Sequence, residues 1–374
     1  MLALRQYISN IPLIEERLAR SAQKLLDDFE KHNGKSFDPV KNIELCVTDV
    51  ISGIVFGKQY DTDDPNVRTI LEDVSTFTRS HNEVQAMVFL DFFPSSRYFP
   101  FKSCKKVVGI WNHALEDVRV ILRQRERVFD PIKPATDLLE NLLQARNEAL
   151  AKASENVTAI MSEDHLINTI LDMFAAGYET TTDTLAWAIG FLVHNPKYQR
   201  DIQAQLDDVI GSDRMPSLDD RHNLPLINAT IMEILRLGNL APNVIPHCTL
   251  KDTSLCGYRV PKGTIVFPDT EAVHLDPKCW ENPSVFDPYR HIDEQGNWIT
   301  DKGNFYPFGA GRRSCAGEPL AKMQLFIFLS WMLHKFTFEP EDGKNPPQLK
   351  PCRGFVQFPA PYKIRAIRRK WSPT

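Results

Sequence analysis

The 374-residue chain has no long hydrophobic run and no excess of charge of either sign. Its longest nearly apolar stretch, Leu185 to Val193, is far shorter than the roughly 20 residues that cross a bilayer. Residues 1–18 carry charges where a signal peptide would have an apolar core. Forty-four basic and 48 acidic side chains give a net charge of −4, without the basic surplus of nucleic-acid-binding proteins. The sequence therefore predicts no transmembrane segment, no signal peptide and no nucleic-acid partner.

Cysteines are few, and none is spaced for pairing or for binding zinc. The seven occur at positions 46, 104, 248, 256, 279, 315 and 352, without a Cys-x-x-Cys or Cys-x-His pair. This scatter predicts neither a disulfide framework nor a zinc knuckle, and it is typical of a reducing compartment. Most of the thiols are expected to be inert, which leaves room for one that does chemistry.

The chain contains a long series of helical apolar repeats, followed by shorter segments separated by Pro and Gly. The repeats predict helices over residues 14–32, 39–56, 65–87, 107–128, 135–153, 162–195, 196–210, 224–237 and 319–336. Alternating runs predict strands over residues 247–250, 258–260 and 264–267, and an edge strand over 362–367, with an irregular tract at 276–311. We expect one domain, mainly α with small β-sheets (α+β), with a helical part at about 1–240 and a sheet and irregular part at about 241–374.

An aromatic segment, Phe89 to Phe101, holds six aromatic side chains and two prolines. Its composition predicts a loop. Two interpretations remain open for the aromatic rings, burial in the core or contact with a membrane surface.

Residues 308–317, FGAGRRSCAG, form a Gly-rich loop ahead of a predicted helix. A thiolate at such a position is stabilised by free N–H donors and by the helix dipole. Gly311 and Gly317 permit backbone geometry and close approach that a Cβ would block, and Arg313 supplies a cation suited to a carboxylate ligand. Cys315 is therefore a candidate functional thiol. The alternative is an inert buried cysteine in a turn.

A second unusual segment, AAGYETTT, occupies residues 175–182 inside the longest predicted helix. Glycine costs about 1 kcal/mol relative to alanine in a helix interior, and consecutive β-branched residues also fit poorly. The hydroxyl of Thr180 is predicted to bond the carbonyl of Ala176, and Gly177 with Thr180 would leave a notch on one face. Glu179 beside it could connect to a water chain. The alternative is an imperfect but purely structural buried helix.

The loop at residues 308–317 resembles the cysteine-ligand loop of the cytochrome P-450 family, the haem-thiolate monooxygenases. The family pattern Phe-x-x-Gly-x-Arg-x-Cys-x-Gly is matched at every fixed position, by Phe308, Gly311, Arg313, Cys315 and Gly317. The resemblance implies that Cys315 is the axial ligand of a haem b iron, that Phe308 packs near its sulfur and that Arg313 binds a haem propionate. A thiolate ligand donates electron density to iron, which suits oxygen chemistry.

Residues 176–181 are similar to the family's oxygen-activation motif, Ala/Gly-Gly-x-Asp/Glu-Thr-Thr/Ser. The resemblance implies that Ala176 and Gly177 border the haem. It further implies that Glu179 and Thr180 form the proton-delivery pair.

A Glu-x-x-Arg pair, Glu233 and Arg236, lies on the helix predicted at 224–237. Alone, such a pair is common on solvated helix faces. The family resemblance makes it a buried pair completed by an arginine, here Arg290 in the segment FDPYR, and gives it a structural role in supporting the cysteine loop.

The resemblance also implies, for the first predicted strand, that His247 donates to a haem propionate. A satisfied structural histidine is the alternative. Residues expected to line a substrate pocket are Phe174, Ala175, Ala241, Val244 and Phe355.

In its sequence pattern the chain is most similar to the animal microsomal branch of the family, which oxidises drugs and steroids. Members of that branch carry a membrane anchor, a Pro-rich hinge, an early sheet and a helix with Trp-x-x-x-Arg before the equivalent of Leu4, and these are not present in the sequence. We therefore expect a P-450 fold without those parts, from a fragment, a short isoform or an incomplete gene model. The family implies the endoplasmic reticulum membrane, although this chain shows no anchor.

The resemblance implies a monooxygenase that inserts one atom of O₂ into an apolar steroid, lipid or xenobiotic. Electrons would come from NADPH through a reductase partner such as NADPH-cytochrome reductase. The alternative function is a truncated haem-binding or regulatory protein without turnover.

Overall fold

A computed structural model of the chain describes residues 9–57, 65–93, 95, 98, 101–151, 162–242, 245–299 and 303–370. Within these residues the helices are α1 (Ile11–Lys31), α2 (Pro39–Val55), α3 (Pro65–Thr78), α4 (His81–Phe92), α5 (Lys102–Val128), α6 (Leu138–Ala151), α7 (Glu163–His194), α8 (Pro196–Val209), α9 (Pro225–Gly238), α10 (Thr270–His274) and α11 (Glu318–Lys335). The fold is mainly helical, as predicted. The short α10 was missed because five residues carry too little periodicity to stand out.

Capping residues explain where the best-predicted helices begin. The Ser162 hydroxyl accepts the backbone N–H of His165 at 3.3 Å, which starts α7 at the predicted residue. The Asp38 carboxylate accepts the N–H of Val40 at 2.9 Å, and Pro39 occupies the first position of α2. These are interactions between chain neighbours, so the sequence reveals them.

The single helix predicted over residues 65–87 is wrong, because α3 ends at Thr78 and α4 begins at His81. At the break, the carbonyl of Thr78 accepts the N–H of Phe355 at 2.8 Å, and the Arg79 side chain turns towards buried carboxylates. Partners far along the chain therefore replace the helix hydrogen bonds at this point.

The aromatic segment is also partly helical, because α4 continues through Phe92. Its described rings are exposed, with Phe89 at 40%, Phe92 at 48%, Phe93 at 60% and Phe101 at 50% of their accessible surface. Burial was the wrong interpretation for these rings. Contact with a membrane surface stays a prediction.

Four small antiparallel sheets follow or join the helices in the described part of the chain. Their strands are β1 (Ser36–Phe37), β2 (His247–Cys248), β3 (Thr253–Leu255), β4 (Tyr258–Val260), β5 (Ile265–Val266), β6 (Phe336–Pro340), β7 (Pro351–Arg353), β8 (Gln357–Pro359) and β9 (Ile364–Arg368). The pairs are β2 with β5, β3 with β4 and β7 with β8, while the fourth sheet has the order β1-β9-β6.

The C-terminal strand was predicted at an edge, but β9 is the middle strand of its sheet. On one side Ile364 pairs with Phe37, and on the other Phe338 pairs with Ala366. Ile364 and Ala366 are buried, while Arg365 between them is partly exposed. Alternation shows which face of a strand is buried, and it does not show how many neighbours the strand has.

Helix α7 passes through the core and packs against α2, α5, α9 and α11. Residues 181–190 of this helix are all buried, so its second half is apolar on every side except at a few polar positions. Such a helix is expected at the centre of a large domain. No described helix combines the length and the apolarity that crossing a membrane requires.

Candidate functional site

The Cys315 loop is closed by its own backbone and ends at the first turn of α11. The N–H of Cys315 donates to the carbonyl of Phe308 at 2.8 Å, and the N–H of Gly309 donates to Tyr306 at 3.1 Å. Gly309 has a φ of +71° and Gly311 a φ of +72°, a region that disfavours side chains with a Cβ. The conformational requirement predicted for Gly311 is confirmed, and Gly309 shares it.

The sulfur of Cys315 lies beside the N-terminus of α11 and is exposed. The backbone N–H groups of Gly317 and Glu318 lie next to the sulfur, and a Cβ added at Gly317 would lie 3.9 Å from it. Desolvation raises the pKa of Cys315, whereas these two N–H groups lower it, and the net direction is upward. The loop therefore orients the thiol, and a bound metal ion is what would hold it as thiolate.

Thr180 faces the same open side of the fold as Ala176, one turn before it on α7. Its hydroxyl donates to the Ala176 carbonyl at 2.7 Å, which confirms the predicted back-bond. Ala176 is exposed and Thr180 is half-buried, although the following residues of the helix are buried. Asp164, Asn168 and Asp172 are exposed earlier on α7 at intervals of four residues, so Ala176 and Thr180 lie where an exposed stripe of the helix ends.

Gly177 has a packing role in the structure. A Cβ at Gly177 would lie 2.6 Å from Cδ1 of Ile51, so the glycine lets α7 approach α2 closely. The glycine side of this turn therefore faces a neighbouring helix. Contact of Gly177 with a cofactor stays a prediction.

The two predicted motifs are joined by a contact between their helices. Thr181, next to Thr180, donates its hydroxyl to Oε1 of Gln324 on α11 at 3.0 Å, and both side chains are buried. Since α11 begins just after Cys315, this contact fixes the cysteine loop relative to the exposed turn of α7.

Glu179 lies on a different face of α7 from Thr180 and is only 2% exposed. Its Oε1 lies 3.3 Å from Nε of Arg79, which also pairs with Asp183 at 3.2 Å and with Glu44 at 3.1 Å. Burial raises the pKa of Glu179 to about 7, although the nearby Arg79 charge lowers it. The acid therefore titrates near neutral pH, which is the property a proton donor needs.

Glu233 and Arg236 are both fully buried and form the predicted pair. Arg236 donates two hydrogen bonds of 2.8 Å to Glu233, and Arg290 adds a third at 3.1 Å. Nε2 of His291 lies 3.0 Å from the same carboxylate. Burial raises the pKa of Glu233, but the hydrogen bonds from Arg236 and His291 together have the larger effect and lower the pKa to about 2.

This network ties α9 to the irregular tract before the cysteine loop. Arg236 also donates to the carbonyls of His274 and Pro283 at 2.7 Å each, and the Glu233 carboxylate accepts the N–H of Asp287 at 3.0 Å. The Glu233 carboxylate and the Arg236 guanidinium are buried and bonded to each other and to neighbouring backbone groups, so the geometry supports a structural role.

Two cationic candidates are placed differently from the buried arginines. Arg313 is exposed and has no hydrogen-bond or ion-pair partner among the residues that the structure describes. His247 is exposed on β2, where it pairs through its backbone with Val266. Both can therefore reach an anionic group that comes from outside the chain.

These observations fit a haem. The donor set combines one exposed thiol, oriented by two backbone N–H groups, with a cation that has no described partner and an exposed histidine, which suit an iron ligand and carboxylate binders. The turn at Ala176 is exposed, and Ala176 itself carries only a methyl group.

The expected pocket residues differ in their exposure. Phe174 is fully buried, with its ring 5.5 Å from that of Phe56, so its assignment to a pocket was wrong. Ala175 is half-buried, Ala241 is exposed, and Phe355 is 44% exposed. Val244 lies outside the described residues. The sequence analysis assigned Phe174 to the pocket together with its neighbour Ala175, but adjacent residues of a helix point in different directions.

Sequence reasoning missed Arg79, Asp183 and His291. A signal existed for Asp183, an acid inside the most apolar part of α7, and His291 follows the predicted Arg290 directly. Arg79 ends a segment whose sequence is typical of a solvent-exposed surface. None of its neighbours in sequence indicates that its side chain contacts buried groups.

Comparisons with known proteins agree with this arrangement. The sequence model of the family described as Cytochrome P450 matches residues 2–366. The steroid 17-alpha-hydroxylase/17,20 lyase of Squalus acanthias is 34% identical, over 96% of this chain and 70% of that protein. The protein of the same name from Ictalurus punctatus is 35% identical over 96% and 69%. Cytochrome P450 1A1 of Oryzias latipes is 36% identical over 91% of this chain and 64% of the relative. The chain thus spans about two thirds of the length of these relatives.

Proposed function

The chain belongs to the cytochrome P450 family, and from that premise we propose that it inserts one atom of O₂ into an apolar, steroid-sized molecule. Electrons reach it from NADPH through a reductase. The observation that carries the proposal is Cys315, an exposed residue just before the first turn of α11, with the backbone N–H groups of Gly317 and Glu318 next to its sulfur.

Each predicted residue has a role in this proposal. Haem, when bound, supplies the one-electron and dioxygen chemistry. Cys315 would hold the iron, and Arg313 with His247 would bind the propionates, Arg313 by charge-assisted hydrogen bonds. The Thr180 hydroxyl, at the exposed turn of α7, positions a proton, and Glu179 stores it one residue away in the buried interior.

The steroid class is supported by the relatives, two of which are named steroid 17-alpha-hydroxylase/17,20 lyase. In this chain, Ala241 and Phe355 present exposed apolar surface for such a molecule. An elongated apolar substrate gains affinity mainly from the area it buries, with few polar contacts fixing its direction.

We further propose that the protein works at the membrane of the endoplasmic reticulum, beside a membrane-bound reductase. The exposed rings of the aromatic segment, among them Phe89 and Phe93, support a surface contact with lipid. The same membrane would deliver an apolar substrate.

The test is the CO-difference spectrum of the reduced protein, in the parent chain and in Cys315→Ser. A hydroxyl is a harder and weaker donor than a thiolate, so the thiolate-type Soret band is expected only in the parent. Cys256→Ser, at another exposed cysteine, is the matched control and should keep the band. A thiolate-type band that survives in Cys315→Ser would contradict the assignment.

Substrate class is tested by titrating the haem-loaded protein with progesterone as a representative steroid and following the Soret band. A saturable spectral shift, followed by NADPH- and reductase-dependent hydroxylation, is expected. Haem binding without any such product would support the alternative of a haem-binding protein without turnover.

A further inference from the structure

His274, the last residue of α10, is fully buried between the Glu233 network and the segment that leads into the cysteine loop. Its backbone carbonyl accepts a hydrogen bond from Nη1 of Arg236 at 2.7 Å. On the other side, Nε2 of its ring accepts the backbone N–H of Tyr306 at 3.0 Å. His274 therefore joins the buried ion pair of α9 to a residue that lies two positions before Phe308.

The contact with Tyr306 determines which ring nitrogen of His274 carries a proton. A backbone N–H can only donate, so Nε2 is the unprotonated nitrogen, and Nδ1 carries the proton of a neutral ring. The surroundings agree with a neutral ring. Burial lowers the pKa of His274 to about 4, and Arg236 and His291 act in the same direction, whereas Glu233 acts against them. Nε2 is therefore an acceptor at neutral pH.

Tyr306 is the residue through which this acceptor reaches the cysteine loop. The carbonyl of Tyr306 accepts the N–H of Gly309 at 3.1 Å, and the carbonyl of Phe308 accepts the N–H of Cys315 at 2.8 Å. The backbone of Tyr306 is thus held at its nitrogen by His274 and at its oxygen by the loop itself.

Side-chain burial does not anchor Tyr306, because its side chain is 38% exposed. The preceding residue, Phe305, is partly buried against the core, and its ring lies 5.7 Å from the ring of His274. Apolar packing of this kind is not directional. The hydrogen bond to His274 is therefore the contact that fixes the orientation of the peptide between Phe305 and Tyr306.

We propose that His274 is a positioning residue for Cys315, because its neutral ring accepts the N–H of Tyr306 and so fixes where the cysteine loop begins. The inference rests on the proposed function, since the position of Cys315 matters only if its sulfur binds the haem iron. Through its carbonyl, the same histidine ties this acceptor to Arg236. The buried network of α9 thus holds the loop from outside the loop's own hydrogen bonds.

Loss of the acceptor would leave the Tyr306 N–H without this partner in a partly buried place, which is unfavourable. The bonds from Gly309 to Tyr306 and from Cys315 to Phe308 do not involve His274 and would remain. We therefore expect a loop that keeps its internal shape but loses its fixed position against α10.

The first experiment measures hydrogen–deuterium exchange of the Tyr306 amide in the full chain after incubation with haem. His274→Leu fills similar space without an acceptor, whereas His274→Gln can place a carbonyl oxygen near the position of Nε2. We expect exchange to be roughly tenfold faster in His274→Leu, the effect of one lost hydrogen bond, and close to the parent rate in His274→Gln. Exchange at the parent rate in His274→Leu would overturn the proposal.

His334→Leu is the matched control, because His334 is also buried and its Nε2 lies 2.8 Å from the carbonyl of Gly211. It removes a histidine of similar burial at the far end of α11 and should leave the exchange of the Tyr306 amide unchanged. Faster Tyr306 exchange in this variant, equal to that in His274→Leu, would show a general loosening of the fold and would contradict the specific contact.

The second experiment measures the fraction of bound haem that shows the thiolate-type Soret band in the CO-difference spectrum. We expect this fraction to fall in His274→Leu and to stay near the parent value in His274→Gln and His334→Leu. Neither substitution at His274 keeps the ring, so a residue that only fills space would give equal losses in both. Equal losses would count against the positioning role.

The tautomer of His274 can be measured without relying on a folded leucine variant. Nitrogen-15 NMR distinguishes protonated from unprotonated ring nitrogens, and the signals of His274 are identified by their absence in His274→Gln. We expect a protonated Nδ1 and an unprotonated Nε2 between pH 6 and pH 8. A protonated Nε2 in this range would refute the proposal even if His274→Leu does not fold.

These outcomes separate the inference from the proposed function. If the tautomer and the Tyr306 exchange behave as expected while even the parent shows no thiolate-type band, the contact is as described and the haem-thiolate function fails. If the parent shows the band and His274→Leu keeps it in full, the haem-thiolate function stands and the positioning role fails.

Discussion

Consecutive residues on one helical turn can have opposite environments, and Glu179 and Thr180 show this. Thr180 is half-buried on the open side of α7, while Glu179 is 2% exposed and faces Arg79. Residues at positions i and i+1 point about 100° apart on a helix, so an acid and an alcohol in this order reach from the interior to the opening. The buried carboxyl of Glu179 is thus one residue away from the exposed turn of α7.

Replacing Thr180 by alanine removes the hydroxyl at the opening. We expect haem and substrate binding to be nearly unchanged, while reducing equivalents are diverted to peroxide, because proton delivery is lost. The measurement is product formed per NADPH consumed. Thr169→Ala is the matched control, since Thr169 makes the same back-bond on α7, to His165 at 2.7 Å, away from the opening. Equal coupling in Thr180→Ala and in the parent would refute the role.

Several buried donors share the Glu233 carboxylate. Glu233→Gln should lower the free energy of unfolding by about 3–5 kcal/mol, because it leaves buried positive groups without their counter-charge. Arg259→Gln breaks an exposed ion pair with Asp252 and should cost less than about 1 kcal/mol. Urea unfolding of both variants measures the difference. Similar losses in the free energy of unfolding for the two variants would show that the buried network stabilises the fold no more than an exposed ion pair does.

A helix position without a side chain lets a neighbouring helix approach unusually closely. Gly177 on α7 provides such a place against Ile51 on α2, whereas Gly109 on α5 has open space around its missing Cβ. The same residue type is therefore required in one helix and dispensable in the other.

We predict opposite effects of alanine at the two glycines. Gly109→Ala should raise the free energy of unfolding by about 0.5–1 kcal/mol through helix propensity. Gly177→Ala should lower it by about 1–2 kcal/mol, because its methyl would overlap Cδ1 of Ile51 in a packed core. Ile51→Val removes that atom and should recover stability in the double variant. Additive effects of Gly177→Ala and Ile51→Val would contradict the assigned contact.

Buried carboxylates couple the stability of the whole fold to pH in opposite directions. Burial raises the pKa of Glu179 from an ordinary 4.5 to about 7, so the folded chain keeps a proton that the unfolded chain releases, and stability falls as pH rises through this range. The pKa of Glu233 is raised by burial but lowered on balance to about 2 by Arg236 and His291, so its contribution is present above pH 4.5 and lost at lower pH.

The variant Glu179→Gln mimics the protonated acid at every pH. We expect its melting temperature to fall less between pH 5 and pH 8 than that of the parent, and the two to be most alike near pH 5. Glu72→Gln, at an exposed glutamate paired with Arg68, should keep the pH dependence of the parent. Parallel curves for Glu179→Gln and the parent would show that Glu179 holds no proton in the folded state near neutral pH.

Local features of this protein were determined by the sequence itself. The start of α7 at Ser162, the positive φ of Gly311 and the bond from Thr180 to Ala176 each involve residues at most four positions apart. Such interactions depend on backbone geometry and neighbouring side chains alone, so the motif carries them wherever the helix packs. The Glu233–Arg236 pair belongs to this class, and its burial followed from the family resemblance.

Only the tertiary structure decided which of these features meet. Arg79 and Asp183 are 104 positions apart, and their contact depends on where α3 ends against α7. The central place of β9 likewise depends on Phe37, which lies more than 300 positions earlier. Contacts of this length result from the packing of whole elements, where burial and charge compensation outweigh local preference. The local sequence therefore determines the backbone of the cysteine loop, whereas the packing of whole elements sets the pKa of Glu179.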